Sequence, residues 1–403
     1  MISVPEPMVV LSPGRRAALA ILLAAACAGG DPAPRAVVRD SAGITIVENT
    51  APARETWLVV EADPVIDLGA SGASEDEFSG VQGVELLADG GVVVGDRGAQ
   101  ELRFFGPNGA FRFRAGRKGG GPGEFEALGS FVRLPGDTLA VWDFSHRRLS
   151  LFAPDGSLVR ELTAQPGGLG FPIFIGILPD GPWVMRGGSV ISSDDVQSGV
   201  SRARHALVLY SPEGEPGDTI GSFNAHEMVV QVRRTGSQVT SVRARSLPFG
   251  RDLVVGLLPD GIVAAANDDW TIAIHDPDGG PRRIIRRAHE PRQVTSADLD
   301  GLPESEQAAL EGVRTPETMP AFGPIVVGPG ATIWVQEYQA PGDVTPVLWN
   351  VFDPDGRWAG NVVFPPRFSL RVLRDDLAAG VWRDPDDVEH VRVYRLREPE
   401  SAP

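Results

Sequence analysis

Short apolar, β-rich runs alternate with turn residues along most of this chain. The runs Gly91 to Gly95, Thr138 to Trp142, Trp183 to Met185, Ile262 to Ala266 and Thr332 to Val335 each follow a tight turn. Those turns are Leu87-Ala88-Asp89-Gly90, Leu134-Pro135-Gly136-Asp137, Leu178-Pro179-Asp180-Gly181, Leu258-Pro259-Asp260-Gly261 and a degenerate Gly328-Pro329-Gly330. A second pattern recurs downstream of each: a ring, one spacer, then Pro, an Asn/Asp/Glu and Gly. It reads Phe105-Gly106-Pro107-Asn108-Gly109, Phe152-Ala153-Pro154-Asp155-Gly156, Tyr210-Ser211-Pro212-Glu213-Gly214, His275-Asp276-Pro277-Asp278-Gly279 and Phe352-Asp353-Pro354-Asp355-Gly356. Proline presets the first turn angle and glycine accepts positive φ, so each copy predicts a reversal between strands. The repeating unit is strand, turn, strand, loop, strand, turn, strand. Four short antiparallel strands per repeat is the anatomy of a propeller blade.

Five units are complete. A sixth has strands at Phe368 to Leu373, Gly380 to Arg383 and Val388 to Leu396, with no Pro-Asp-Gly turn after them. Its outer strand is expected from Trp57 to Leu68, upstream of the first unit, which closes the ring and removes its exposed edges. The prediction is an all-β, six-bladed β-propeller over residues 57–399. The insertions around 186–204 and 223–252 have the length for further strands. Thr295 to Gly312 breaks the strand rhythm: Thr295 or Ser296 can cap a helix and Glu304 to Glu311 are good helix formers, which predicts a short helical insertion near 295–312 over one end of the propeller.

Asp96 and Phe105, and likewise Asp143 and Phe152, stand nine residues apart, with Arg148-Leu149 between the second pair. This resembles the strand pattern of NHL-type six-bladed propellers, within the TolB-like superfamily. Gly116-Arg117-Lys118-Gly119-Gly120-Gly121-Pro122-Gly123-Glu124-Phe125 is similar to a signature of exported bacterial six-bladed propellers. Asp40-Ser41-Ala42-Gly43-Ile44 resembles their leading strand. The resemblance implies fold and export.

The N-terminus points the same way. Arg15-Arg16 precede the apolar run Ala17 to Ala26, which is too short to span a bilayer and ends at Cys27, the only cysteine. Leu23-Ala24-Ala25-Ala26-Cys27 resembles a lipoprotein lipobox, so residues 1–26 are expected to be a signal peptide and Cys27 the lipidated residue. Ordinary cleavage after Ala26 or Ala28 is the alternative, and Met8 is an alternative start. Residues 27–56 would be a tether and leading strand. The expected location is the cell envelope, lipid-anchored or periplasmic to extracellular, with the membrane touched only through the anchor.

Composition narrows function mainly by exclusion. With 53 acidic residues against 37 Lys+Arg the net charge is −16, which disfavours a nucleic-acid partner. A hydrophobic fraction of 42% is too high for a disordered acidic chain. The six histidines make no HxxxH or HExxH spacing, no GxSxG elbow occurs, and the only cysteine lies in the leader, so zinc-helix, serine-elbow and thiol chemistry find no residues. The glycine-rich loop at 116–123 leads into a strand and not a helix, so it is read as a crossover between blades rather than a phosphate cradle.

Candidate ligand residues are Arg117 and Lys118 in that loop; Asp143, His146 and Arg147 after a strand; and Arg233, Arg234, Arg243 and Arg245 in an insertion assigned to the fourth blade. Arginine favours carboxylate and phosphate, so that basic stretch suits an anionic partner. Two functions follow. The favoured one is an exported, non-catalytic binding scaffold for a protein or carbohydrate, without a cofactor. The alternative is a calcium-dependent pore-site hydrolase of the lactonase or gluconolactonase kind, implied by the resemblance, with Asp96, Asp143 and Asp268 as oxygen ligands.

Overall fold

The computed structural model describes residues 35–70, 72–188, 197–236, 238–310 and 312–400. Cys27 and the rest of the leader lie outside them. Every repeat becomes one antiparallel sheet. Val81–Leu86, Val92–Asp96, Glu101–Phe105 and Phe111–Ala115 form the first blade, and Leu128–Arg133, Leu139–Asp143, Arg148–Phe152 and Leu158–Thr163 the second. The fourth is built on Leu253–Leu258, Gly261–Ala266, Thr271–His275 and Pro281–Arg287; the fifth is Ile325–Gly328, Thr332–Gln336, Val347–Phe352 and Trp358–Phe364.

The Pro-Xaa-Gly turns join third to outer strands, and their chemistry explains their recurrence. In the first, Gly109 N donates to Gly106 O at 2.9 Å and Gly106 N to Ala110 O at 2.8 Å, with Gly109 at φ +77°. The ladder slips by one residue between Phe104 and Phe105. A turn closing on a left-handed residue and a one-residue slip is a G1 bulge, which needs glycine there.

The strand interiors are apolar on both faces because each blade is sandwiched. Val92 and Val94 pack toward the sixth blade, while Val93 between them packs toward the second. The same alternation puts Val263 against the fifth blade and Ile262 and Ala264 against the third. The inter-blade clusters form a closed circuit, its last link joining Val381, Val391 and Val393 to Val84 and Val92.

Closure comes from the N-terminus as expected. Val59–Val60 and Ile66–Leu68 lie antiparallel to Glu389–Arg397, outside Phe368–Arg374 and Leu377–Arg383. Asp67 fastens this strand by accepting from Arg392 at 2.9 Å.

Two segments depart from the expectation. The leading strand is a hairpin, Ala36–Ser41 with Ile44–Asn49, whose second strand runs parallel to Pro281–Arg287 and makes the fourth sheet six-stranded. Asn49, 2% exposed, locks it there: its Nδ2 donates to Gly356 O at 3.0 Å and its Oδ1 accepts from Trp358 N at 2.9 Å. The arginine insertion belongs to the third sheet, not the fourth blade. That sheet runs Ile173–Ile177, Trp183–Gly188, Gly199–Tyr210, Pro216–Thr235 and Gln238–Ser246. Its second strand is described as far as Gly188, opposite His205, and residues 199–204, 224–236 and 238–246 continue as a ribbon that adds no further blade among the described residues.

Inner strands begin, and second strands end, on one face of the ring, called the loop face below. The helical insertion lies between the fourth and fifth blades as Ser296–Asp300 and Glu304–Gln307. Thr295 caps the first helix in a reciprocal box with Asp298. Leu302 and Met319 of this insertion pack on Phe249 and Tyr338, which ties it to the base of the ribbon.

Candidate binding site on the loop face

Asp96 and Asp143 end the second strands of their blades with their carboxylates turned inward. Asp143 accepts from the N–H groups of Glu126 (3.0 Å), Ala127 (3.3 Å), Ser145 (3.0 Å) and His146 (3.3 Å), and from His146 Nδ1 at 2.7 Å. Asp96 accepts from Ser79 N, Gly98 N and Ala99 N and pairs with Arg103 at 3.0 Å. The fourth blade carries Asn267 in this role, accepting from Asp252 N at 2.7 Å and donating to Phe322 O at 2.8 Å. Asp268 lies one residue further on, and Arg202 grips both its oxygens at 2.5 and 2.8 Å. The three proposed calcium ligands are therefore not brought together. Asp96 and Asp143 pin loops, Asp268 is committed to an arginine, and among the described residues no three acidic, histidine or cysteine side chains gather as a metal site.

The glycine-rich loop is an inter-blade crossover. Arg117 Nε donates to Glu124 Oε1 at 2.7 Å, and Arg148 Nη2 donates to Gly121 O at 3.0 Å and Glu124 O at 2.6 Å. Arg117 and Lys118 both face solvent. Gly116 sits at φ +77° with the Phe125 ring edge where a Cβ would go. Gly116→Ala is expected to lower stability by about 2–4 kcal/mol, from overpacking plus left-handed strain, read as a drop in urea midpoint at unchanged slope.

Arg147 holds a left-handed backbone at φ +50°, its carbonyl accepting from Ala164 N. Of the ribbon arginines, Arg243 stands opposite Gln231, Arg245 opposite Val229 and Arg233 opposite Ser241, so these three share one face. Arg234 falls beside a register slip, opposite Val239. Arg245 Nη1 reaches Ser305 O at 3.3 Å, linking the ribbon to the helical insertion.

At the foot of the ribbon lies a cavity that sequence reading missed. It measures about 460 Å³ and is lined by Arg186, His226, Asp252 and Tyr338, with an apolar wall of Leu253, Val255 and Pro324. A neighbouring cavity of about 400 Å³ beneath Arg245 shares Gly250 and Tyr338 with it. Arg186 comes from the second strand of the third blade, and its Nη1 donates to Leu253 O at 2.6 Å. His226 Nδ1 stands 3.6 Å from Asp252 Oδ2. His205 completes the group one strand away.

Burial tends to raise the Asp252 carboxyl, but the neighbouring His226 imidazole, the Arg186 charge and the Leu253 N–H outweigh it and hold it below the ordinary range. Burial, reinforced by Arg186, holds the His205 imidazole below its usual value, so it is neutral at pH 7. Burial pushes the Tyr338 phenol up to about 12, so it stays a donor. Arg186 Nε, His205 Nδ1 and His226 Nδ1 are buried without a hydrogen-bond partner among the described residues. On the same face Phe144 and Phe171, 39% and 63% exposed, stack nearly parallel with ring centroids 6.2 Å apart. No local motif announces the cavity. Its lining residues come from seven separate stretches of the chain.

No family model and no curated protein matches the chain. Solved structures do match its fold. A member of the DUF4221 family from Bacteroides vulgatus is 10% identical with a TM-score of 0.51, covering 86% of this chain and 99% of that one. A Bacteroides fragilis protein described as exported is 12% identical with a TM-score of 0.49, covering 88% of this chain and 100% of that one. A gluconolactonase from Xanthomonas campestris is 12% identical with a TM-score of 0.42, over 86% of this chain and 100% of that one. Among the described residues no helix is long and apolar enough to cross a membrane. With six sheets closed in a ring by an N-terminal strand, this chain is a six-bladed β-propeller.

Proposed function

We propose that this propeller is an exported, lipid-anchored binding protein that takes an acidic carbohydrate in the loop-face cavity. The observation that supports the ligand class is the pair of nitrogens without a hydrogen-bond partner among the described residues, Arg186 Nε and His205 Nδ1, beside a cavity with one apolar wall. A buried donor without a partner is costly, and a ligand carboxylate and hydroxyls would satisfy it. The apolar wall suits the C–H face of a sugar ring, and the exposed Phe144 and Phe171 rings offer a second such surface. Arg245 and the ribbon face carrying Arg233 and Arg243 supply positive charge beside it, against a net charge of −16. Export and anchoring rest on Arg15-Arg16, the run Ala17 to Ala26, and Cys27.

Titration of the full chain with glucuronate and galacturonate, and with glucose and galactose as neutral controls, tests the site. Uronates are expected to bind saturably, and Arg186→Met to weaken them by at least about tenfold, the worth of one charge-assisted hydrogen bond. Neutral sugars binding as tightly as uronates, or uronates indifferent to Arg186→Met, would sink the proposal. Cys27→Ala should move the protein from the membrane fraction to the soluble one.

The 3.6 Å contact of His226 with Asp252 favours one second reading, an enzyme using this pair for proton transfer. Recovering the bound sugar unchanged after prolonged incubation would dismiss it; turnover abolished by His226→Gln would establish it.

A further inference from the structure

The inner strands of all six blades enclose a cavity of about 390 Å³ along the ring axis. It meets the loop-face cavity at Ile175 and Val255, which line both. Most of its lining residues are aliphatic, although polar atoms make up slightly more of the exposed wall, and Glu85, Arg133 and Arg371 are its charged residues. Arg133 is committed to Asp137, on which Arg374 also bears at 3.9 Å.

Arg371 differs. It sits at a β-bulge in the sixth inner strand, where the ladder slips between Leu370 and Val372, the local device that turns an extra residue out of the alternation. Among the described residues its guanidinium makes no hydrogen bond and no ion pair. Glu389, the acid that acts on it, is already held by Arg383 and by Val81 N at 2.6 Å. Burial lowers the Arg371 pKa, and the Arg383 charge adds to that while Glu389 opposes it. Arg371 still presents a solvent-exposed guanidinium to the channel, with no ion pair of its own among the described residues.

We propose that the central channel is a second ligand site, taking a small aliphatic carboxylate whose head pairs with Arg371. A guanidinium matches a carboxylate through two parallel hydrogen bonds, and the aliphatic lining residues suit an alkyl body. A phosphate dianion would need a second free cation, and Arg133, the other cation lining the channel, is engaged by Asp137. The site does not depend on the sugar reading, since its anchor and walls are different residues.

Glu85 gives the site a pH dependence. Burial pushes its carboxyl up to about 7, opposed by the Arg133 N–H and the charges of Arg133 and Arg374. Below that value Glu85 is protonated and does not repel an anion; above it the channel holds a second negative charge.

The test titrates the full chain with straight-chain alkanoates from butanoate to decanoate, with the matching alcohols and inorganic phosphate as controls. One alkanoate per chain is expected, with affinity rising with chain length. The alcohol and phosphate should each be weaker by at least about tenfold. Arg371→Met should cost at least about tenfold and Arg371→Lys less, with melting curves confirming that both variants are folded. Affinity should fall between about pH 6 and about pH 8, and Glu85→Gln should abolish that fall. Absence of saturable binding, alkanoates held equally by Arg371→Met, or phosphate or alcohols bound as tightly as alkanoates would each overturn the proposal. Failed uronate binding with successful alkanoate binding would remove only the loop-face reading.

Discussion

Deleting residues up to Leu68 is expected to abolish cooperative folding, although more than three hundred residues of blade sequence remain. The deletion takes the outer strand from the sixth blade, and with it Ile66 and Leu68, which are 4% and 2% exposed. Each contributes about 1.5–3 kcal/mol by burial. Their ladder to Val391 and Val393 and the Asp67–Arg392 pair go too. Those losses approach the roughly 5–15 kcal/mol that separates a folded domain from its unfolded chain. They also leave an open apolar edge, a template for aggregation. Deleting only residues 35–55 removes the hairpin that adds to an already four-stranded fourth blade, and should lower the melting temperature without destroying the transition. Circular dichroism melts of the two deletions compare them directly. Equal loss from both would mean that the ring does not depend on its closing strand.

Asp143→Ala is expected to lower stability by about 3–5 kcal/mol, because it removes a buried carboxylate that accepts from four backbone N–H groups and the His146 imidazole. The side chain is fully buried, and its partners span the crossover at Glu126 and Ala127 and the turn at Ser145 and His146. Burial raises its carboxyl, but the His146 imidazole and the N–H groups of Glu126, His146 and Ala127 together bring it below the ordinary value. The folded state therefore binds this proton less readily than the unfolded state. The stabilisation is complete above the unfolded value of about 4 and is lost as pH falls below it, through the depressed folded value. Urea titrations at about pH 7 and at about pH 3 read this out: the gap between wild type and Asp143→Asn should narrow at the lower pH. A constant gap would mean that charge has no part in the Asp143 bonds.

The turns were legible because their chemistry is local. Proline at the second position and glycine at the left-handed one specify the reversal at Pro107-Asn108-Gly109 and its four counterparts whatever surrounds them. The aliphatic strands were legible because a blade buries both its faces, leaving unbroken runs such as Val92-Val93-Val94. The arginine insertion was placed in the wrong blade because the strand Pro216–Thr235 runs on past its blade with no turn signal to mark the crossing. An aspartate at 268 suggests the strand-end residue, but Asn267 does the pinning.

The blade, the number of blades, the closing strand and the place of the helical insertion are readable from the chain. Each depends on backbone preferences and side-chain periodicity within a few dozen residues. Which charged groups meet depends on how the blades pack. Arg186 and His226 come from the third blade, Asp252 from the link to the fourth and Tyr338 from the fifth, and Glu85 and Arg371 line one channel only when the first and sixth blades become neighbours. Whether an arginine is engaged also depends on its surroundings: Arg202 is neutralised by Asp268, while Arg371 feels Glu389 without forming an ion pair among the described residues. The physical reason is that periodicity repeats along the chain, whereas the electrostatics of a site depends on distances of a few ångströms between residues that ring closure alone brings together.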